Sequence, residues 1–160
     1  TGNVKINKKP VVLEELIDSV IFKFKKRYPS HDVIIDIPGD IVMIPMDAML
    51  IEQVIINLLE NAVQHATGMK HLWLSVFVIG NNAVFEIKDD GCGVSDEAMK
   101  SMFSGAYVSK ASVPDGNRNN AGIGLSVCET IIKAHGGDIS ASNSMNKGAV
   151  FRFTLGMEEN

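Results

Sequence analysis

The stretch from residue 48 to residue 66 restricts what this chain can fold into more than any other. Placed on a helix at about 100° per residue, Gln53, Asn57, Glu60, Asn61 and Gln64 fall within an arc of about 100°. Ile51, Val54, Ile55, Leu58, Leu59, Ala62 and Val63 fill most of the rest. A helix apolar around so much of its circumference has to be covered by other elements. Asp47, just ahead of it, has the side chain of an N-cap. The narrow polar face is unusual in kind. A solvated face is rich in Lys, Arg and Glu, whereas this one holds amides and a single carboxylate, with no cation. Amides both donate and accept hydrogen bonds, so the face suits a polar ligand or a hydrated metal. The plainer alternative is a face turned to water.

The remaining patterns supply a sheet for that helix to rest on. Val4 to Ile6 reads as a short strand, and Pro10 precedes a helical pattern from about Val12 to Arg27, with Leu13, Leu16, Ile17, Val20, Ile21 and Phe24 at helical spacing. Val33 to Ile37 and Ile41 to Ile44 read as strands on either side of a Pro38-Gly39-Asp40 turn. Leu72 to Ile79 and Ala83 to Lys88 form a hairpin across Gly80, Asn81 and Asn82. A helix from about Ile123 to His135 stops at Gly136-Gly137, and strands near Asp138 to Ser142 and Ala149 to Leu155 follow. This mixed order predicts an α+β fold: a two-layer α/β sandwich with a mixed sheet of about five strands and about three main helices on one face. A chain of 160 residues suits a single domain over 1–160, large enough to need no disulfide staples.

Charge and cysteine usage exclude several classes. Net charge is −4, from 15 basic and 19 acidic residues, without the clustered basic face of a nucleic-acid binder. Lys23, Lys25, Lys26 and Arg27 are expected to be the solvated end of a helix. Cys92 and Cys128 lack metal-ligand spacing, which points to a reduced, cytoplasmic setting. No apolar run reaches the length of a membrane span, so no direct membrane contact is expected from this segment. The chain opens Thr-Gly-Asn and reads as a fragment whose parent carries any anchor elsewhere. His31, His65, His71 and His135 are expected at the surface or at helix ends.

Two further features point to a ligand. In the strand ending at Asp89, Ala83, Phe85, Ile87 and Asp89 share one face, so a carboxylate closes a core-facing row. A buried carboxylate is costly without a partner. Gly91 and Gly93 follow it and permit a sharp turn and close approach to the backbone. The reading as an acceptor for a ligand amine stands beside that of a strand-end turn with a capping Asp. Gly122 and Gly124 open the last helix, where exposed N–H groups and the helix dipole favour an anion. They close a loop of 104–120 that is rich in Gly and Asn, with Lys110 and Arg118 its cations. A loop of that length in a compact domain is functional or disordered.

Together these segments resemble the ATPase fold shared by histidine kinases, gyrase, Hsp90 and MutL. Glu52 to Ala62 is similar to the N box of histidine kinases, Asp89-Asp90-Gly91-Cys92-Gly93 to the first glycine box and Gly122-Ile123-Gly124-Leu125 to the second. Met102-Phe103 is a truncated phenylalanine box. Pro45-Met46-Asp47-Ala48, with Leu50 to Val54 and Ile131 to Gly137, is most similar to the KdpD-type potassium-responsive sensor kinases.

The resemblance implies that ATP is bound with Mg²⁺, the metal held by Asn61 and the phosphate site supported by Asn57. It implies that Asp89 accepts from the adenine amine, that Gly91 and Gly93 admit the base, and that the backbone of Gly122, Ile123, Gly124 and Leu125 meets phosphate. Residues 104–120 would be the ATP lid, and Lys110 and Arg118 its phosphate contacts. Gln64 stands where many histidine kinases carry Lys or Arg, and Asn120 where glycine is common. Hydrolysing members carry a glutamate base at the position of Asn57; an amide cannot take that proton. Transfer to a separate acceptor is therefore favoured over hydrolysis, with Glu60 a secondary candidate base. The phosphoacceptor helix is absent from the sequence, so the expected partners are the dimerisation and phosphoacceptor domain of the same kinase and a response regulator. A serine kinase of the anti-sigma type and a module that no longer binds nucleotide are the rival readings.

Overall fold

A computed structural model describes residues 4–103 and 121–158, the side chains of 121–123 excepted. The elements run β1 (Lys9–Val12), α1 (Leu13–Arg27), β2 (Ile34–Asp36), β3 (Met43–Met46), α2 (Ala48–His65), β4 (Leu72–Ile79), β5 (Asn82–Asp89), α3 (Asp96–Ser101), α4 (Ala121–Ala134), β6 (Ile139–Asn143) and β7 (Ala149–Gly156). A five-stranded sheet has the order β2-β4-β5-β7-β6, and β1 pairs with β3 in a separate two-stranded sheet. β2 runs parallel to β4, while the other neighbours are antiparallel. The α+β reading with a mixed five-stranded sheet therefore holds.

The helices cover one face of that sheet because its strands alternate. Ala83, Phe85 and Ile87 of β5 are at most 1% exposed, whereas Glu86 and Lys88 between them are half-buried on the other face. Phe85 lies opposite Phe153 of β7, and the two rings stack at 4.6 Å. Onto them α2 lowers Ile51, Val54, Ile55, Leu58 and Leu59, all 0% exposed. Each such side chain contributes about 1.5–3 kcal/mol on burial, which fixes α2 as the central helix between α1 and α4. Asp47 caps it as expected, its carboxylate accepting from the Leu50 N–H.

Three details differ from the sequence-based expectation. Val4 to Ile6 is not a strand, and pairing starts at Lys9. The turn at Pro38-Gly39-Asp40 does not join sheet neighbours, since β2 and β3 belong to different sheets. In the β1–β3 pair Pro10 lies opposite Pro45, and proline cannot donate to a ladder, which suits a short pair that recruits no further strand. The short helix α3 was not anticipated; Ser95 Oγ caps it by accepting from the Ala98 N–H at 3.1 Å. The expected lid, with Lys110 and Arg118, lies outside the described residues.

Candidate functional site

The pleat carries Asp89 into the core side of β5, where it is 3% exposed. Its Oδ1 accepts from the Gly91 N–H at 2.8 Å and from the Ala149 N–H at 3.3 Å. Oδ2 has no partner among the described residues, so one acceptor is left over. Burial pushes the Asp89 carboxyl above its ordinary value, against those two backbone N–H groups, which pull it down. The loop after it is tightly made. A Cβ on Gly91 would lie 2.7 Å from the Cβ of Ala66, just past α2, so only glycine lets β5 pass that helix end. Asp90 turns away from the site and accepts from the Lys70 and His71 N–H groups and contacts the His71 ring, pinning the α2–β4 connection.

Two residues that the sequence reading passed over complete this corner. Gly148 has φ +92°, and a Cβ there would fall 1.9 Å from the Asp89 carbonyl oxygen. Asn143 clamps the loop with its amide, accepting from the Val94 N–H and donating to the Val94 carbonyl, both at 2.8 Å. The turn-forming Asn146-Lys147-Gly148 was a local signal for the glycine; nothing local marked its neighbour across the sheet.

The polar stripe of α2 divides in two. Asn57 faces α4, its Nδ2 lying 3.9 Å from Cys128 Sγ. Burial pushes that thiol up to about 12, so Cys128 is an inert neutral filler. One turn further, Oδ1 of Asn61 is buried with no hydrogen-bond partner among the described residues. Such an orphan is uncommon in a native fold, and Glu60 Oε2 is another. Glu60 and Gln64 instead engage α1. Glu60 is 4% exposed, and Arg27 Nη1 stands 2.6 Å from its Oε2, as an ion contact out of hydrogen-bond line. Gln64 Nε2 donates to the Tyr28 hydroxyl at 3.3 Å. The end of α1 is thus not simply solvated: Arg27 neutralises a buried carboxylate.

That pairing has a measurable consequence. Burial raises the Glu60 pKa and Arg27 lowers it, with burial the larger. A raised folded pKa means stability is fullest below the unfolded value and falls as pH rises through the folded one. Arg27→Ala is expected to cost about 1–2 kcal/mol at neutral pH, since the guanidinium is itself largely exposed. The loss should shrink on acidification as Glu60 takes a proton. Urea unfolding at several pH values checks this; a pH-independent loss would assign Arg27 a packing role only.

The second glycine box opens α4, with Gly122 and Gly124 in its first turn. Among the described residues, a Cβ on Gly124 would meet nothing within 4 Å. Leu125 is 1% exposed and anchors that turn in the core, while the side chain of Ile123 is not among those described. Gly124 sits one turn before Cys128, which touches Asn57. Asn61 follows one turn later, and Ala66 then meets Gly91. The first turn of α4 thus lies next to Asn57 through Cys128, and the turn after Asp89 packs at Gly91 against the end of the helix that carries Asn57 and Asn61.

The donor set fits Mg²⁺ held jointly with phosphates. Among the described residues no three His, Cys, Asp or Glu side chains converge on a metal position. Mg²⁺ keeps several waters and takes one or two protein oxygens plus phosphate, and the orphaned Asn61 oxygen suits that need.

A family model for the histidine kinase-, DNA gyrase B- and HSP90-like ATPases matches residues 46–159. The chain is 35% identical over 157 residues to the sensor protein KdpD of Clostridium acetobutylicum, covering 98% of this chain and 17% of that protein. It is 35% identical over 146 residues to the adaptive-response sensory kinase SasA of Microcystis aeruginosa, covering 89% of this chain and 37% of SasA. The chain thus spans well under half the length of these relatives. Among solved structures, a nucleotide-free catalytic domain of the histidine kinase ThkA superposes with a TM-score of 0.79 at 25% identity, covering 94% of this chain and 98% of that one.

Proposed function

This chain belongs to the family of histidine kinase-, DNA gyrase B- and HSP90-like ATPases, and from that premise we propose that it is the ATP-binding catalytic domain of a KdpD-like sensor histidine kinase. It binds ATP with Mg²⁺ and presents the γ-phosphoryl group to a histidine on the dimerisation domain of the same kinase, from which a response regulator is served. The observation that carries this reading is the buried Asn61 Oδ1, which has no hydrogen-bond partner among the described residues, together with the second oxygen of Asp89, which accepts no hydrogen bond from them. One acceptor suits a metal–phosphate group and the other a base amine.

The chain's own residues divide the work. Asp89 accepts from the exocyclic amine, and Gly91 keeps the base slot free of side chain. Gly93 carries its loop through φ +80°. Asn61 donates an oxygen to the metal, whose charge offsets that of the phosphates. Asn57, fixed by Cys128, supports the same group. The first turn of α4, at Gly122 to Leu125, offers N–H groups to phosphate oxygens. Lys110 and Arg118 are assigned to the lid. Asn57 has no basic group, so water is not activated there, and transfer to a partner histidine is favoured over hydrolysis. Glu60 and Gln64 hold α1 against α2 in this reading. No helix among the described residues is long and apolar enough to cross a membrane, consistent with a domain that works in the cytoplasm beneath an anchored parent.

Thermal unfolding with ADP, with and without Mg²⁺, tests the proposal. A ligand at about 100 times its Kd adds about 2.7 kcal/mol, a rise of about 5–10 °C for a domain of this size. An adenine-specific, Mg²⁺-dependent rise is expected. No rise at millimolar nucleotide would refute the site as assembled in this domain.

A further inference from the structure

His135 lies at a helix end, as expected, directly after α4, but it is 4% exposed and so belongs to the interior. Both ring nitrogens are committed. Nδ1 lies 2.8 Å from the Ile131 carbonyl, which only accepts, so the proton is on Nδ1. Nε2 is then a lone pair, and it accepts from the Asp47 N–H at 3.1 Å. The N–H of an N-cap residue lies outside the helical ladder and needs a partner from another element. Here the partner comes from the far end of α4. The Asp47 carboxylate is already engaged, Oδ1 with the Leu50 N–H and Oδ2 with the Asn7 N–H. The end of α4 is itself fixed, because a Cβ on Gly137 would fall 1.9 Å from the Thr154 carbonyl oxygen of β7.

We propose that His135 is a positioning residue of the nucleotide site, its neutral imidazole setting the start of α2, and with it Asn57 and Asn61, against the helix that opens with Gly122 and Gly124. The inference rests on the nucleotide-binding reading above. A helix is stiff, so a displacement at Asp47 is carried about 15–20 Å along α2 to the two asparagines. Protonation would put a hydrogen on Nε2 and turn it against the Asp47 N–H. Burial, and Lys8 from the chain ahead of β1, oppose that protonation; the Ile131 carbonyl and the Asp47 carboxylate favour it.

Calorimetric titration of Mg²⁺–ADP into the unmutated chain, His135→Gln and His135→Asn tests this. Gln carries an oxygen near the Nε2 position and keeps the acceptor for Asp47, whereas Asn keeps only a donor near Nδ1. His135→Asn is expected to weaken binding about tenfold, as for a buried donor left without a partner, and His135→Gln by no more than about threefold. Equal affinities in the two variants overturn the proposal. If neither variant folds, the Asp47 amide of the unmutated protein decides. A contact that favours nucleotide is favoured by it in return, so Mg²⁺–ADP slows hydrogen exchange at that amide; an unchanged rate overturns the role. Failure of the unmutated chain to bind any adenine nucleotide refutes the nucleotide-binding reading and takes this one with it. Binding by that chain with indistinguishable variants refutes only the role of His135.

Discussion

Asp89→Asn is expected to lower affinity for ADP by about 30-fold or more, the loss of a charge-assisted hydrogen bond worth about 2–3 kcal/mol. The fold should tolerate the change. The asparagine Oδ1 still accepts from the Gly91 and Ala149 N–H groups, and a buried charge is removed. What changes is the outward atom, which becomes an NH₂ facing the amine of adenine. Inosine diphosphate, with a ring carbonyl at that position, should lose far less. The unmutated protein should also show a pH signature. Its Asp89 pKa is raised, so the carboxylate is lost on acidification earlier than an ordinary one, and ADP affinity falls as pH drops through that raised value. The asparagine variant should be flat over the same range. Calorimetry across pH reads both effects; equal ADP affinity in the two proteins removes Asp89 from the site.

Asn61→Ala should separate function from stability by the sign of its effects. Nucleotide affinity should lose its Mg²⁺ dependence, with the Mg²⁺–ADP complex weakened about 10- to 100-fold, the range seen when a metal site loses a supporting group. The protein without nucleotide should become more stable by about 1 kcal/mol, or about 2–4 °C, because a buried unsatisfied oxygen is removed and alanine is the better helix former. A residue kept only for packing would show the reverse stability change. A variant that still responds to Mg²⁺, or that melts lower without ligand, would refute the assignment.

Periodicity made the long elements legible before any coordinates. The apolar spacing of α1 and α2 and the alternation that buries Asp89 all depend on local geometry, and local geometry repeats along a chain. What stayed hidden is set across the sheet. Gly148 meets Asp89 because β5 and β7 share a register, and Asn143 reaches Val94 because β6 lies beyond β7. No window of neighbouring residues contains those relations. The helix-end position of His135 is legible locally, but its partner, 88 residues away, is not. The wheel groups the α2 stripe but does not say what packs on it: Glu60 and Asn61 stand at its opposite edges, about 100° apart, and only Glu60 meets α1. The short helix α3 was legible from Ser95 ahead of Asp96 and Glu97, but six residues are too few to declare a period.

The strand that closes the sheet beside β5 also has a bearing on how the protein is made. β7 supplies the Ala149 N–H that holds Asp89 and the ring that stacks on Phe85, and Gly148 just ahead of it lets the Asp89 backbone pass. The strand is translated 60 residues after Asp89. A growing chain that has emerged through α4 already holds the residues assigned to the nucleotide, but of the two N–H groups that hold the Asp89 carboxylate only that of Gly91 is present. Long-range pairing of this kind comes late in folding. The carboxylate therefore gains its second N–H, and with it its full setting, only in a domain whose last strand is in place.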